Sequence, residues 1–164
     1  MDFKPTIQSI MTRDVVSVKP DTPLQEAAEL LARHGFDGMP VVDDENKLVG
    51  ILTEYDLISK SSAIHLPTFQ KVIENLGIYH KDKTRFKKDF AELASLQVKD
   101  VMNKDPLTLA EDATYEEAVA AFRDHHRVNP ITVIDQYRKV VGVVSRFDVL
   151  KPLHLVDPVR DPLR

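Results

Sequence analysis

The chain has 164 residues, 43% of them hydrophobic, with a formal charge of −4 and no cysteine. That length suits one domain or two small packed units, and the apolar share is enough for a core. Without cysteine there are no disulfides, thiolate metal ligands or cysteine nucleophiles, and the acidic balance disfavours nucleic acid as the main partner. No stretch approaches a membrane-spanning length, and the opening Met1 to Pro5 has no apolar leader segment, so a soluble cytoplasmic protein with no membrane span is expected.

In chain order, Thr6 to Met11 reads as a short helix with Thr6 as its cap. Val15 to Val18 is rich in β-branched residues and reads as a strand. A helix follows, with Thr22 as N-cap, Pro23 at the first helical position and Gln25 completing a capping box. Leu24, Ala27, Ala28 and Leu31 give it one apolar face, and Gly35 closes it in a left-handed conformation. Met39 to Val42 and Leu48 to Leu52 are two strands joined by a polar turn, and a last helix runs from Thr53 to about Lys60.

The second half repeats this order, so the chain is an internal duplication. Val101-Met102 echoes Ile10-Met11 and Asp105 to Leu109 echoes Asp14 to Val18, both 91 positions on. Tyr115, Ala118, Val119 and Phe122 take the register of the first helix's apolar face. One extra residue between His125 and Thr132 shifts the displacement to 92. Gly142 to Asp148 then answers Gly50 to Asp56.

In both copies an apolar run meets Thr53 or Ser145, and Asp56 or Asp148 follows three positions later. A hydroxyl residue at a helix start lies beside free N–H groups suited to an anion, and the aspartate one turn on can accept two hydrogen bonds from a ribose diol. The same residues also make an ordinary helix start resembling a capping box, and both readings stand at this point.

The repeated pattern resembles a tandem pair of CBS domains, over about 7–60 and 97–151. It is carried by Ile10-Met11, Val15 to Val18, the helix from Pro23, Gly38 to Asp43 and Gly50 to Asp56, each with its second-half counterpart. The resemblance implies an α/β (α+β) fold: two β-α-β-β-α repeats about a pseudo-twofold axis, with two clefts that receive adenosine-containing ligands. It further implies that Thr53 meets phosphate and Asp56 the ribose in one cleft, and that Ser145 and Asp148 do so in the other. Adenine would lie against Val16, Ser17, Met39 and Pro40, or against Leu107, Thr108 and Ile131, positions that core packing alone would also select.

The two copies differ at the site. Thr132 stands where the first copy has Pro40, and Arg146 stands beside Ser145 where Glu54 stands beside Thr53. A fixed cation near a phosphate is worth about 1 kcal/mol when partly desolvated, which favours the Ser145 side for a polyphosphate. His125, His126 and Arg127 at the end of the second long helix read more simply as solvated helix-end residues.

The organisation expected is a first repeat over 1–60, a helical insertion over 61–96, a second repeat over 97–152 and a tail over 153–164. Residues 61–96 are too long for a bare connector and carry apolar periodicity from Phe69 to Leu76 and from Phe86 to Ala94. Prolines at 152, 158 and 162 argue against a helical tail.

Three functional classes remain. A regulatory module sensing AMP, ADP, ATP or S-adenosylmethionine, and signalling to a separate protein, accounts for both hydroxyl-x-x-Asp motifs. An adaptor with vestigial clefts accounts for all but their presence in both copies. An enzyme accounts for least, because no P-loop, nucleophile elbow or metal-ligand spacing is present and no required cofactor is implied. Ala27, Ala28, Ala32, Ala118, Ala120 and Ala121 permit close helix approach, and with the resemblance they predict a homodimer.

Overall fold

The structure is a computed structural model that describes residues 5–58 and 95–155. Within them lie α1 (Ile7–Ile10), α2 (Leu24–His34), β1 (Gly38–Val42), β2 (Leu48–Thr53), α3 (Glu54–Ile58), α4 (Val98–Val101), β3 (Thr108–Ala110), α5 (Tyr115–Asp124), β4 (Ile131–Ile134), β5 (Val140–Val144) and α6 (Arg146–Leu155). The fold is α+β. The helices expected over 67–77 and 84–94 lie outside the described residues.

The chain divides into two compact units, and neither is a contiguous half: one is Val16–Asp105, the other Met1–Val15 together with Pro106–Arg164. The opening residues therefore belong with the second repeat's sheet, and α4 belongs with the first's.

In the unit Val16–Asp105, β1 and β2 pair antiparallel with Gly38 opposite Thr53 and Met39 opposite Leu52. The hairpin turn is held by Asp43, whose carboxylate accepts the N–H groups of Glu45 and Lys47 at 2.9 Å each, while Asn46 takes a left-handed φ of 62°. Leu24, Ala27 and Leu31 lie on one face of α2 and are buried in a core with Val18, Met39, Val41, Leu52, Leu57 and Val98.

Two expectations are corrected in this unit. The N-cap of α2 is Pro23, not Thr22. The Thr22 hydroxyl accepts the Lys19 N–H, Leu24 N–H donates to the Leu96 carbonyl at 2.9 Å, and Gln25 donates to Glu29 instead of closing a box. The segment leading into α4 thus supplies the cap that a side chain was expected to give. Residues 15–18 form no strand, only a bridge from Val18 to Val41. Val18 bonds Pro40 and Val42, but the next donor in such a ladder would be residue 20, and Pro20 has no N–H. Its counterpart Glu111 does donate, to the Ile134 carbonyl at 3.0 Å, and there β3 forms.

In the other unit the sheet order is β3-β4-β5, parallel between β3 and β4 and antiparallel between β4 and β5. Thr12, just after α1, exchanges two backbone hydrogen bonds with Val143 at 2.9 and 3.0 Å. Ile7, Ile10 and Met11 are buried with Leu109, Ala118, Ile131, Val133 and Val144. The apolar face of α5 is narrower than its periodicity predicts, since Val119 is 38% exposed. Thr114 and Glu117 cap α5 reciprocally, the Glu117 carboxylate accepting the Thr114 N–H at 2.7 Å. Helix α6 runs through Pro152 to Leu155, three residues into the expected tail. Proline's φ is already helical, so the helix continues there, at the cost of the missing N–H bond to the Asp148 carbonyl and the crowding of the ring against that carbonyl.

Each unit has a steric keyhole among its described residues. A Cβ on Gly50 would lie 2.7 Å from Met102 Sδ and 2.8 Å from the Asn103 carbonyl oxygen; on Gly142 it would lie 2.6 Å from Met11 Sδ and 3.2 Å from the Thr12 oxygen. Only glycine lets these segments cross the strands so closely.

Candidate functional site

Each hydroxyl-x-x-Asp motif sits where the last strand of a unit gives way to a helix: β2 to α3 at Thr53, β5 to α6 at Ser145. The local geometry is nearly the same in both. Asp56 Oδ2 accepts the Thr53 N–H at 2.9 Å and the Thr53 hydroxyl at 2.6 Å, and that hydroxyl accepts the Asp56 N–H at 3.2 Å. Asp148 Oδ2 accepts the Ser145 N–H at 2.6 Å and its hydroxyl at 2.8 Å, and the hydroxyl accepts the Asp148 N–H at 3.3 Å. One carboxylate oxygen therefore caps the helix start, and the second oxygen remains for other chemistry. Both hydroxyl protons point at carboxylates, so a phosphate would have to turn them away or draw on other donors.

The surroundings of the second oxygen differ. Among the described residues none bonds Asp56 Oδ1, whereas Lys151 Nζ lies 2.5 Å from Asp148 Oδ1 and also donates to the Ile10 carbonyl at 2.8 Å. Asp148 is buried, and Lys151 is about half exposed. The neighbouring position differs as well. Arg146 donates through its guanidinium to the carbonyls of His126 and Val128, and its N–H donates to Asn129 Oδ1 at 3.1 Å. In the first copy Glu54 is exposed, and its N–H donates to the Asp37 carbonyl at 2.9 Å.

The predicted base-contacting residues fall at the same end of each sheet as the motif. The Val18–Val41 bridge and the β1–β2 register set Val16, Ser17, Met39 and Pro40 beside the strand end that carries Thr53. Val16 and Ser17 are half-buried; Met39 and Pro40 are buried, Met39 within the core. In the other unit Thr108 is opposite Thr132 and Ile131 opposite Val144, which puts Ile131 beside the strand end that carries Ser145 and Leu107 at the same end of the sheet with β4 between them. Leu107 and Thr108 are half-buried and Ile131 is a core residue. The buried Thr132 hydroxyl has no hydrogen-bond partner among the described residues.

Sequence reasoning missed Lys151, Asn129 and the Ile10 carbonyl. The i, i+3 spacing from Asp148 to Lys151 was a signal for the first. Nothing local marks Ile10, which lies 141 positions from the lysine it accepts from.

The CBS domain family model matches residues 7–63 and 98–155. The chain belongs to the CBS domain family. It is 31% identical over 93% of its length to an inosine-5′-monophosphate dehydrogenase from Methanocaldococcus jannaschii, spanning 24% of that protein. It is 30% identical over 89% of its length to the chloroplastic CBS domain-containing protein CBSX1 of Arabidopsis thaliana, spanning 63% of it. The chain thus spans from about a quarter to under two thirds of these curated relatives. Among solved structures it resembles the CBS-pair protein CBSX2 of Arabidopsis thaliana in complex with AMP (TM-score 0.67, 24% identity, 92% of this chain and 97% of that one). It also resembles the CBS domain pair of protein MJ0100 in complex with 5′-methylthioadenosine and S-adenosyl-L-methionine (TM-score 0.66, 19% identity, 94% and 100%). No helix among the described residues is long and apolar enough to cross a membrane.

Proposed function

We propose that the chain is a regulatory module that binds adenosine-containing ligands at the Thr53/Asp56 and Ser145/Asp148 junctions and passes their occupancy to a separate protein. The observation that carries this reading is the division of labour on each aspartate: Oδ2 serves the helix cap, while Oδ1 is bonded by no described residue at Asp56 and only by the half-exposed Lys151 at Asp148, which leaves acceptor capacity for a ribose hydroxyl. It is supported by the AMP complex of CBSX2 and the methylthioadenosine and S-adenosylmethionine complex of MJ0100. The described residues at the two junctions supply hydrogen-bonding and charged groups suited to binding, and the module is read as acting by binding. Half-buried Ala28 and Ala120 and exposed Ala32 support association as a homodimer, and a cysteine-free chain suits a reducing compartment such as the cytoplasm.

Thermal shift with AMP, ADP, ATP and S-adenosylmethionine tests the reading, since ligand binding raises the melting temperature by mass action. Asp56→Ala and Asp148→Ala should each weaken binding at one junction by about 1.5–3 kcal/mol, roughly ten- to hundredfold. Wild-type protein that binds none of these at millimolar concentration would replace this reading with that of an adaptor.

A further inference from the structure

The two junctions share a fold and a cap but not a charge. Around Thr53 stand Glu54 and Asp56, and the position three beyond Asp56 is Ser59. Around Ser145 stand Arg146, Asp148 and Lys151. The first set is doubly negative by formal charge and the second singly positive. Because the Thr53 and Ser145 hydroxyl protons are directed at carboxylates, an incoming phosphate depends on a further donor. Arg146 donates through Nη2 to the His126 and Val128 carbonyls and forms no ion pair with Asp148, so its guanidinium is held toward that loop and not at the ribose-accepting carboxylate. Lys151 is not saturated: an ammonium has three N–H donors, and two are accounted for by Asp148 Oδ1 and the Ile10 carbonyl. The third belongs to a half-exposed group anchored within reach of the ribose-accepting carboxylate.

Resting on the reading above, we propose that the two junctions sort adenosyl ligands by charge, with Lys151 as the selecting residue. The Ser145/Asp148 junction takes the phosphate-bearing ligand, a nucleoside phosphate. The Thr53/Asp56 junction takes a neutral or cationic adenosyl compound, because Glu54 and Asp56 repel a phosphate and attract a sulfonium. Lys151 neutralises the buried Asp148 when no ligand is bound and offers its free N–H to the phosphate when one arrives. The cation is therefore held in position before binding, which lowers the ordering cost of the contact.

Calorimetry on the full chain with AMP and 5′-methylthioadenosine tests this, with Asp56→Ala isolating the second junction. In that variant AMP should bind about tenfold more tightly than methylthioadenosine, the size expected for one partly desolvated charge contact. Adding Lys151→Met should bring the ratio near one, and Lys151→Arg should restore it. Glu54→Arg in the otherwise unaltered chain is an independent arm on an exposed residue, expected to strengthen AMP binding at the first junction about fivefold. A ratio unmoved by Lys151→Met, or AMP binding lost with Asp56→Ala while the ligand-free variant melts normally, overturns the assignment. If both ligands bind the wild type with no dependence on Lys151 or Glu54, only the charge sorting falls. If neither binds at millimolar concentration, the nucleotide reading falls with it.

Discussion

The two glycine crossings and the two acid junctions lie a few residues apart on the same strands, yet they have diverged to different degrees. At the crossings both copies keep Gly, and both keep a methionine whose sulfur sits within 2.7 Å of where a Cβ would be. At the junctions the hydroxyl and aspartate persist, while in the aligned sequence Glu54 corresponds to Arg146 and Ser59 to Lys151. Packing admits one solution at the crossing, because overlap is costly whichever copy suffers it. A solvent-facing charge costs the fold little, so it can change to suit a ligand. Likeness between copies thus marks what the fold demands, and unlikeness marks where selectivity can reside.

The largest effect should come from cutting a core at the end of the chain that looks dispensable. Ile7 is fully buried among residues from 109 to 144, and Ile7→Ala should cost about 3–4 kcal/mol by urea denaturation. A cost under 1 kcal/mol would mean that the opening segment does not complete that unit. Next come the crossings. Gly50→Ala meets a backbone oxygen at 2.8 Å and should cost about 3 kcal/mol; Gly142→Ala meets its backbone oxygen at 3.2 Å and should cost about 1 kcal/mol once Met11 shifts. Equal costs would erase the one asymmetry seen between them.

A smaller effect, of opposite sign, is expected at the hairpin turns. Asn46 and Arg138 occupy matching left-handed positions with φ of 62° and 63°, and Asn tolerates that conformation better than Arg. Arg138→Asn should stabilise by about 0.5–1 kcal/mol in the same denaturation series. The smallest effect concerns acid. The Thr114 N–H, and then its hydroxyl, hold the Glu117 carboxyl below its ordinary value of 4.5. Since the folded value lies below the unfolded one, this contribution is present above about pH 4.5 and lost as pH falls through the folded value. Glu117→Gln should flatten the stability curve in that window and leave it unchanged in shape near neutrality.

Much of this was legible in the sequence, and the parts that were not share a cause. The strands expected at 39–42, 48–52 and 140–144, each within one residue of those observed, the apolar face of α2 and the paired hydroxyl-Asp motifs follow from local pattern. The failures involve partners distant in sequence or a single missing atom. Thr22 lost its capping role to a carbonyl at position 96, and Lys151 acquired a partner at position 10. Residues 15–18 have good strand propensity, but the ladder ends at the N–H that Pro20 lacks. Pro152 was read as a stop because proline usually is one, although its fixed φ permits the helix to continue.

The exchange of opening segments between the units has a consequence for synthesis on the ribosome. The unit Val16–Asp105 can close as soon as residue 105 is free, because Asn103 meets Ile51 within that stretch. The other unit cannot, since Thr12 is made long before its partner Val143. Until then the buried faces of Ile7, Ile10 and Met11 have no sheet to cover them. Residues 7–11 are thus made well before the sheet that finally covers them, and the nascent chain carries this apolar, unpaired segment until β4 and β5 have been added.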